Sequence, residues 1–197
     1  MKLFTKEIIF LGAGGHASVL FEMIDLMDIK LKEIFVDKND LDKPSRYHER
    51  LKHGDEIWQN YNSSKYKIIV GVGRKNIYDQ TRNKLYKIVL SLGFESPILI
   101  HPSAVISKSS TIDDGTQIMM GACIQTGTKI GKNVIINTGA TIDHDCKIHD
   151  NVFIAPGVTI CGNVEIGKGS FIGAGSVIVP NTFLPANTFI KANTLCK

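Results

Sequence analysis

Long apolar runs, paired cysteines and blocks of like charge are all missing from this 197-residue chain. No apolar stretch approaches the roughly 20 residues that a membrane-spanning helix requires, and no signal-peptide pattern precedes the first apolar segment, so neither a span nor an export signal is expected. The four cysteines, Cys123, Cys146, Cys161 and Cys196, include no C-x-x-C pair, which argues against a disulfide scaffold and fits a reducing cytoplasm. None of the six histidines stands at zinc-ligand spacing to a cysteine, so no metal is implied. The 23 basic and 19 acidic residues leave a net charge of +4, but they are interspersed. Nucleic acid is therefore not an expected partner, whereas small phosphate-bearing molecules are compatible. An apolar content of 43% is that of a folded globular protein.

What the chain has in abundance is a repeat of six. From Ile106 to Ile190 every sixth residue is aliphatic, fifteen positions in register. Four places after each stands a small or β-branched residue, such as Ala122, Val134, Ala140 or Ser176, which can also point inward. Three places after each, thirteen of the fifteen residues are Gly or Asn, the types that tolerate a positive φ. The pattern predicts a short strand and a tight corner, repeated, with the aliphatic side chains stacked along a central axis. Three hexads close one triangular coil, so fifteen make five coils. This resembles the left-handed parallel β-helix of hexapeptide repeats, whose handedness is an exception to the usual right-handed crossover. Such a prism leaves flat outer faces, and in the resembling families three prisms associate with active sites between them, so a homotrimer is expected. Residues 97–197 are assigned to this domain.

Residues 1–96 obey a different rule. The apolar run Ile8-Ile9-Phe10-Leu11 reads as a strand, followed by a Gly-rich turn and a helix-period segment from Ala17 to Met27. A second strand follows at Ile34-Phe35-Val36. A third, Ile68-Ile69-Val70, leads through Gly71-Val72-Gly73 into a helix carrying Tyr78, Leu85, Ile88 and Val89. The order predicts an α/β domain with a small parallel sheet of Rossmann type. Residues Asn39 to Ser64, polar and containing Pro44, Gly54 and the one tryptophan, are read as irregular surface structure, and the hinge is placed between Gly93 and Pro102.

Two constellations can carry chemistry. Gly12-Ala13-Gly14-Gly15-His16-Ala17 fits G-x-G-x-x-A between a strand and a helix, and Asp37 ends the next strand. Glycines allow a diphosphate to approach a helix N-terminus, where free N–H groups and the helix dipole attract anions, and Asp37 is placed to accept a bond from a ribose or base. The structural alternative is that the glycines only form a tight turn. Taken alone the motif would suggest an NAD-dependent oxidoreductase, but the domain lacks a second mononucleotide half and a β-helix follows it.

The second constellation is in the repeat, where Asp145 replaces the Gly or Asn expected at its corner and His144 stands beside it, two places after Ile142. An imidazole there projects outward, and a neighbouring carboxylate fixes its tautomer and raises its basicity, as a general base requires. The structural alternative is a solvated surface histidine. His149, at the start of the next corner, is read equally as a cleft residue or a surface one, and His48, His53 and His101 have no partner identifiable from sequence.

The opening Gly-Ala-Gly-Gly-His at 12–16, the segment Ile-Asn-Thr-Gly-Ala-Thr-Ile-Asp-His-Asp-Cys at 136–146, and the later Ile-Ala-Pro-Gly-Val-Thr and Ile-Gly-Ala-Gly-Ser runs resemble a family. It is the NeuD/PglD-like hexapeptide sugar acetyltransferases, which include sialic acid O-acetyltransferases and the UDP-4-amino-sugar N-acetyltransferases of bacillosamine synthesis. The likeness covers nearly the whole chain. It implies an acetyl-CoA-dependent N-acetyltransferase acting on a nucleotide-linked 4-amino-4,6-dideoxy sugar, in bacterial surface glycan or glycoprotein synthesis. UDP is the first choice of nucleotide, and a sugar O-acetyltransferase or a non-catalytic nucleotide-sugar-binding trimer are the alternatives.

By the same resemblance His144 is the base and Asp145 its orienting partner, while Gly14, Gly15, His16, Asp37, Gly73 and Asn76 touch the nucleotide-sugar and Asn137 positions the acceptor. The resemblance also implies that acetyl-CoA lies between two subunits, along Ala174 and Ala192; in the mechanism expected, a backbone N–H near Gly162 stabilises the oxyanion. Two departures are visible. A histidine that meets the acetyl donor in some members is matched by Phe153, making that contact apolar, and the chain ends at Lys197 without the longer tail many members carry. Part of the CoA-binding surface is thus expected to differ.

Overall fold

The computed structural model describes residues 6–36, 51–53 and 57–197, in two compact units. One comprises Met1–Gly73 and Gln80–Pro97; the other comprises Ile98–Lys197 together with the short segment Arg74–Asp79.

The first unit is a parallel sheet of β1 (Glu7–Leu11), β2 (Leu31–Val36), β3 (Leu51–His53) and β4 (Tyr66–Val70), in the order β3-β2-β1-β4, with helices α1 (Gly15–Leu26) and α2 (Thr81–Ser91). The run Ile8–Leu11 is apolar throughout because both faces of β1 are covered. Phe10 packs on Phe21 of α1 with ring centroids 4.6 Å apart, while Ile9 and Leu11 join Trp58, Tyr86, Val89 and Phe94 on the other side. Between β1 and β4 the strand order reverses, which leaves a crevice beyond their carboxyl ends.

The segment read as irregular surface structure is corrected in two places. Leu51–His53 is a strand paired in parallel with β2, and Trp58, in a 3₁₀ turn over Ile57–Asn60, is 2% exposed and packs on Phe94. A three-residue strand in a polar context carries no periodicity, and a single tryptophan shows its burial only once the sheet supplies a surface to cover. Tyr78 lies outside α2 and is 87% exposed, unlike the apolar helix position expected of it.

The second unit is the left-handed parallel β-helix. Two-residue strands recur every six residues from Leu99–Ile100 to Leu195–Cys196, and residues eighteen apart pair, as Ile130 does with Ile148. The strands form three faces. Face A holds Thr111, Lys129, Lys147, Glu165 and Phe183; face B holds Leu99, Gln117, Ile135, Phe153, Phe171 and Phe189; face C holds Val105, Cys123, Thr141, Thr159, Val177 and Leu195. The second residue of each strand points inward, and from Ile118 to Ile178 these isoleucines are at most 2% exposed.

The column four places on is buried from Thr116 to Ser176, and its hydroxyls are satisfied by corner carbonyls: Thr128 Oγ1 donates to Asp143 O at 2.8 Å and Ser176 Oγ to Lys191 O at 2.8 Å. Of the fifteen corner residues three places after each aliphatic one, every one except Ser109 has a positive φ, Asp145 included at +57°.

Candidate active site

The corner Asp143–Cys146 is the edge between faces C and A, and the strands on either side hold it rigidly. Cys146 points inward and is fully buried; its thiol pKa is raised by burial, as befits an inert packing residue. His144 and Asp145 project outward with side chains 53% and 65% exposed. His144 Nδ1 and Asp145 Oδ2 are 2.9 Å apart, and the His144 backbone N–H donates to Asp143 Oδ1 at 2.8 Å. An ionised Asp145 accepts from Nδ1–H, which leaves the Nε2 lone pair free. The bond to Asp145 and the charge of Asp143 raise the imidazole pKa above its ordinary 6.5.

One coil above, Gly162 makes room for the ring: a Cβ there would lie 2.5 Å from His144 Nε2. The Gly162 backbone N–H makes no hydrogen bond among the described residues. Shallow grooves flank the edge. One of about 260 Å³ on face C is lined by Cys123, Thr141, Asp143 and Cys161, and one of about 220 Å³ on face A by Asp145, Lys147, Glu165 and Phe183. His149 bonds Glu165 at 2.7 Å, which lowers the Glu165 pKa.

The remaining candidates in this unit lie elsewhere. Asn137, Ala174 and Ala192 fall on the edge between faces B and C, the two alanines exposed and stacked one coil apart, and Asn137 Nδ2 donates to Ile154 O at 2.7 Å. Phe153 lies on face B, stacked on Phe171 at 4.6 Å. Within one chain, face C separates Asn137, Ala174 and Ala192 from His144. Asn76 belongs to this unit too, and its Oδ1 accepts from the N–H groups of Tyr78 and Asp79.

Sequence reasoning passed over Arg74 in the same segment. It is 7% exposed, donates to the carbonyls of Asn151, Gly169, Ser170 and Ile77, and lies over the Phe171 ring. Desolvation lowers its pKa. Nothing in the sequence distinguishes this arginine from a surface one.

In the first unit, Gly14, Gly15, His16 and Gly73 meet at the crevice between β1 and β4. Its glycines are of two kinds. Gly12, at φ +105°, and Gly71, where a Cβ would overlap the Phe10 ring, are required by the turn and the packing. Gly73 adjoins His16, a Cβ there lying 3.2 Å from that ring. Gly14 and Gly15 have no positive φ and a Cβ on either would meet nothing within 4 Å, so the tight turn does not explain them. They open α1, whose N-terminus has no side-chain cap. Asp37 and His48 lie outside the described residues.

Residues 7–89 match the family model described as the PglD N-terminal domain, and residues 109–144 and 145–180 match that of the bacterial transferase hexapeptide (six repeats). The acetyltransferase domain of PglB from Neisseria gonorrhoeae FA1090 is 31% identical, with 98% of this chain and 93% of that one covered and a TM-score of 0.86. That domain has also been solved in complex with acetyl coenzyme A. A histidine-to-asparagine mutant of perosamine N-acetyltransferase from Caulobacter crescentus, in complex with CoA and GDP-perosamine, is 26% identical, covering 98% and 89% of the two chains at a TM-score of 0.84. WeeI from Acinetobacter baumannii AYE, 18% identical with 98% and 97% covered, shares the fold at a TM-score of 0.74.

Proposed function

The chain belongs to the NeuD/PglD-like family of hexapeptide-repeat acetyltransferases, and from that premise we propose that it transfers an acetyl group from acetyl-CoA to the amino group of a nucleotide-linked 4-amino-4,6-dideoxy sugar, with His144 as general base. The observation that carries the assignment is the His144–Asp145 pair, with Nδ1 tied to a carboxylate and Nε2 exposed over a glycine. His144 Nε2 takes a proton from the amine as its nitrogen attacks the thioester carbonyl. The tetrahedral oxyanion forms beside the backbone N–H of Gly162, and collapse expels the CoA thiolate, which recovers the proton from the imidazolium. No covalent acyl-enzyme is needed.

In this reading Gly14 and Gly15 let the diphosphate approach the start of α1, with His16, Asp37, Gly73 and Asn76 also contacting the nucleotide-sugar. Asn137 positions the acceptor, Phe153 meets the donor, and Ala174 and Ala192 lie along acetyl-CoA. Because the edge carrying these alanines is separated from His144 within one chain, the site is completed by a second copy, in a homotrimer. The family relatives crystallised with CoA and GDP-perosamine or with acetyl coenzyme A support the substrate classes.

The test is CoA-thiol release with acetyl-CoA and UDP-, dTDP- and GDP-linked 4-amino-sugars, each beside its 4-hydroxy counterpart. Release with one amino-sugar is expected. Release only with a hydroxyl acceptor, free sialic acid included, would replace this reading by O-acetylation, and CoA binding without release from any acceptor would remove it.

A further inference from the structure

On each edge of the prism the corner residues of successive coils stack, and their side chains follow a rule. Where Asn stands over Asn, the lower carboxamide donates to the upper: Asn133 Nδ2 to Asn151 Oδ1 at 2.9 Å, and Asn163 Nδ2 to Asn181 Oδ1 at 2.8 Å. Where Asn stands over Gly, the upper oxygen takes the space of the missing side chain, so that a Cβ on Gly169 would lie 2.6 Å from Asn187 Oδ1 and one on Gly175 2.5 Å from Asn193 Oδ1. Asp145 stands over Gly127 in the second manner, its Oδ1 folded onto the space a Cβ would fill. It therefore receives no ladder donor from below. Asn163, one coil above, donates away from it to Asn181, and the side-chain partner of Asp145 is His144 Nδ1.

We propose that Gly127 is a positioning residue for acetyl transfer: it withholds the donor that an asparagine at this corner would supply, and so reserves the Asp145 carboxylate for the His144 imidazole. This rests on the reading of His144 as the base. An asparagine tolerates the φ of +72° at 127, as it does at other corners, and in ladder geometry its Nδ2 donates to Asp145 Oδ1. A carboxylate that shares its charge with a second donor holds the imidazolium less strongly, and the His144 pKa falls. An aspartate at 127 offers no donor and adds negative charge, which moves the pKa upward. The charged groups around the ring are Asp143 and Asp145 on its own corner, with Lys147 and Glu165 lining the groove beside Asp145. Thr126, below His144, and Gly162, above it, carry no charge. Either substitution must displace Asp145 Oδ1 to make room for a Cβ, as Gly169→Asn must displace Asn187 Oδ1, but neither changes the charge of these groups.

The experiment is an NMR titration of the His144 imidazole in the full-length protein, paired with the pH dependence of kcat/KM. Gly127→Asn is expected to lower the His144 pKa by roughly half a unit and to move the acidic limb of kcat/KM down with it, with a severalfold loss of rate. Gly127→Asp moves both upward. Gly169→Asn, the same change beneath Asn187, moves neither. A His144 pKa that is unchanged in both Gly127 variants, or shifted the same way in both, overturns the proposal, as does a loss of activity in Gly127→Asn with the pKa unmoved. The titration reads the imidazole whether or not it is the base. A shifted pKa that the rate does not follow keeps the coupling of Gly127 to His144 and discards His144 as the base.

Discussion

In the β-helix a glycine is the ordinary occupant of a corner, whereas in the α/β unit each glycine answers to a constraint of its own. The repeat imposes the same backbone conformation at fourteen corners, and among those Asp145 stands out as the residue that is neither Gly nor Asn. The α/β unit has no column to compare with. There Gly12 and Gly71 are demanded by backbone and packing while Gly14 and Gly15 are not, and only asking what a Cβ would meet at each separates them. A strict rule makes its exceptions informative. Where there is no rule, physical necessity has to be judged residue by residue.

The largest effect expected from this contrast is at the exception itself. His144→Asn removes an exposed side chain that no core residue depends on, so kcat should fall by about a hundredfold to ten-thousandfold with the melting temperature unchanged, as steady-state kinetics and calorimetry on one preparation will show. A conforming position should do the reverse. Ile154→Ala empties a fully buried site on the helix axis and is expected to cost about 2–5 kcal/mol in denaturant unfolding, with kcat preserved in the fraction that stays folded.

The two kinds of glycine in the other unit can be told apart in the same way. Gly71→Ala drives a methyl group into the Phe10 ring and should destabilise by about 1–3 kcal/mol, while Gly15→Ala should leave stability alone and raise KM for the nucleotide-sugar. If Gly15→Ala unfolded the unit and spared KM, the division would fail.

The smallest change expected is in pH dependence. The bond to Asp145 raises the His144 pKa, so if His144 is the base, which works only when neutral, the acidic limb of kcat/KM is expected above the ordinary histidine value of 6.5. Asp145→Asn removes that support, so the limb moves to lower pH while the plateau drops by about tenfold, the weaker base being the slower one. A limb that stays in place would show that the carboxylate does not set the basicity of the ring.

Much of this was legible beforehand, for reasons that differ along the chain. The fifteen-fold register announced the β-helix because one coil must present the same residue types to the next. His144 and Asp145 were visible as a departure from that register. The parallel sheet was read from its three apolar strands, but β3 and the burial of Trp58 were not, since both depend on contacts distant in sequence. Arg74 was equally silent, because carbonyls 77 to 96 residues away hold it and nothing near it in the sequence marks them. Gly127 was hidden by its own conformity.

By itself, then, the amino-acid order determined the coil, its corners and the two corners, Ser109 and Asp145, that depart from Gly or Asn, because a hexapeptide repeat places every side chain by counting. Tertiary structure alone decided which glycines are empty by necessity, which edge of the prism each candidate occupies, and that Asp145 faces His144 with nothing beneath it. Those are distances between residues a coil or more apart, and no spacing along the chain records what fills the gap between them.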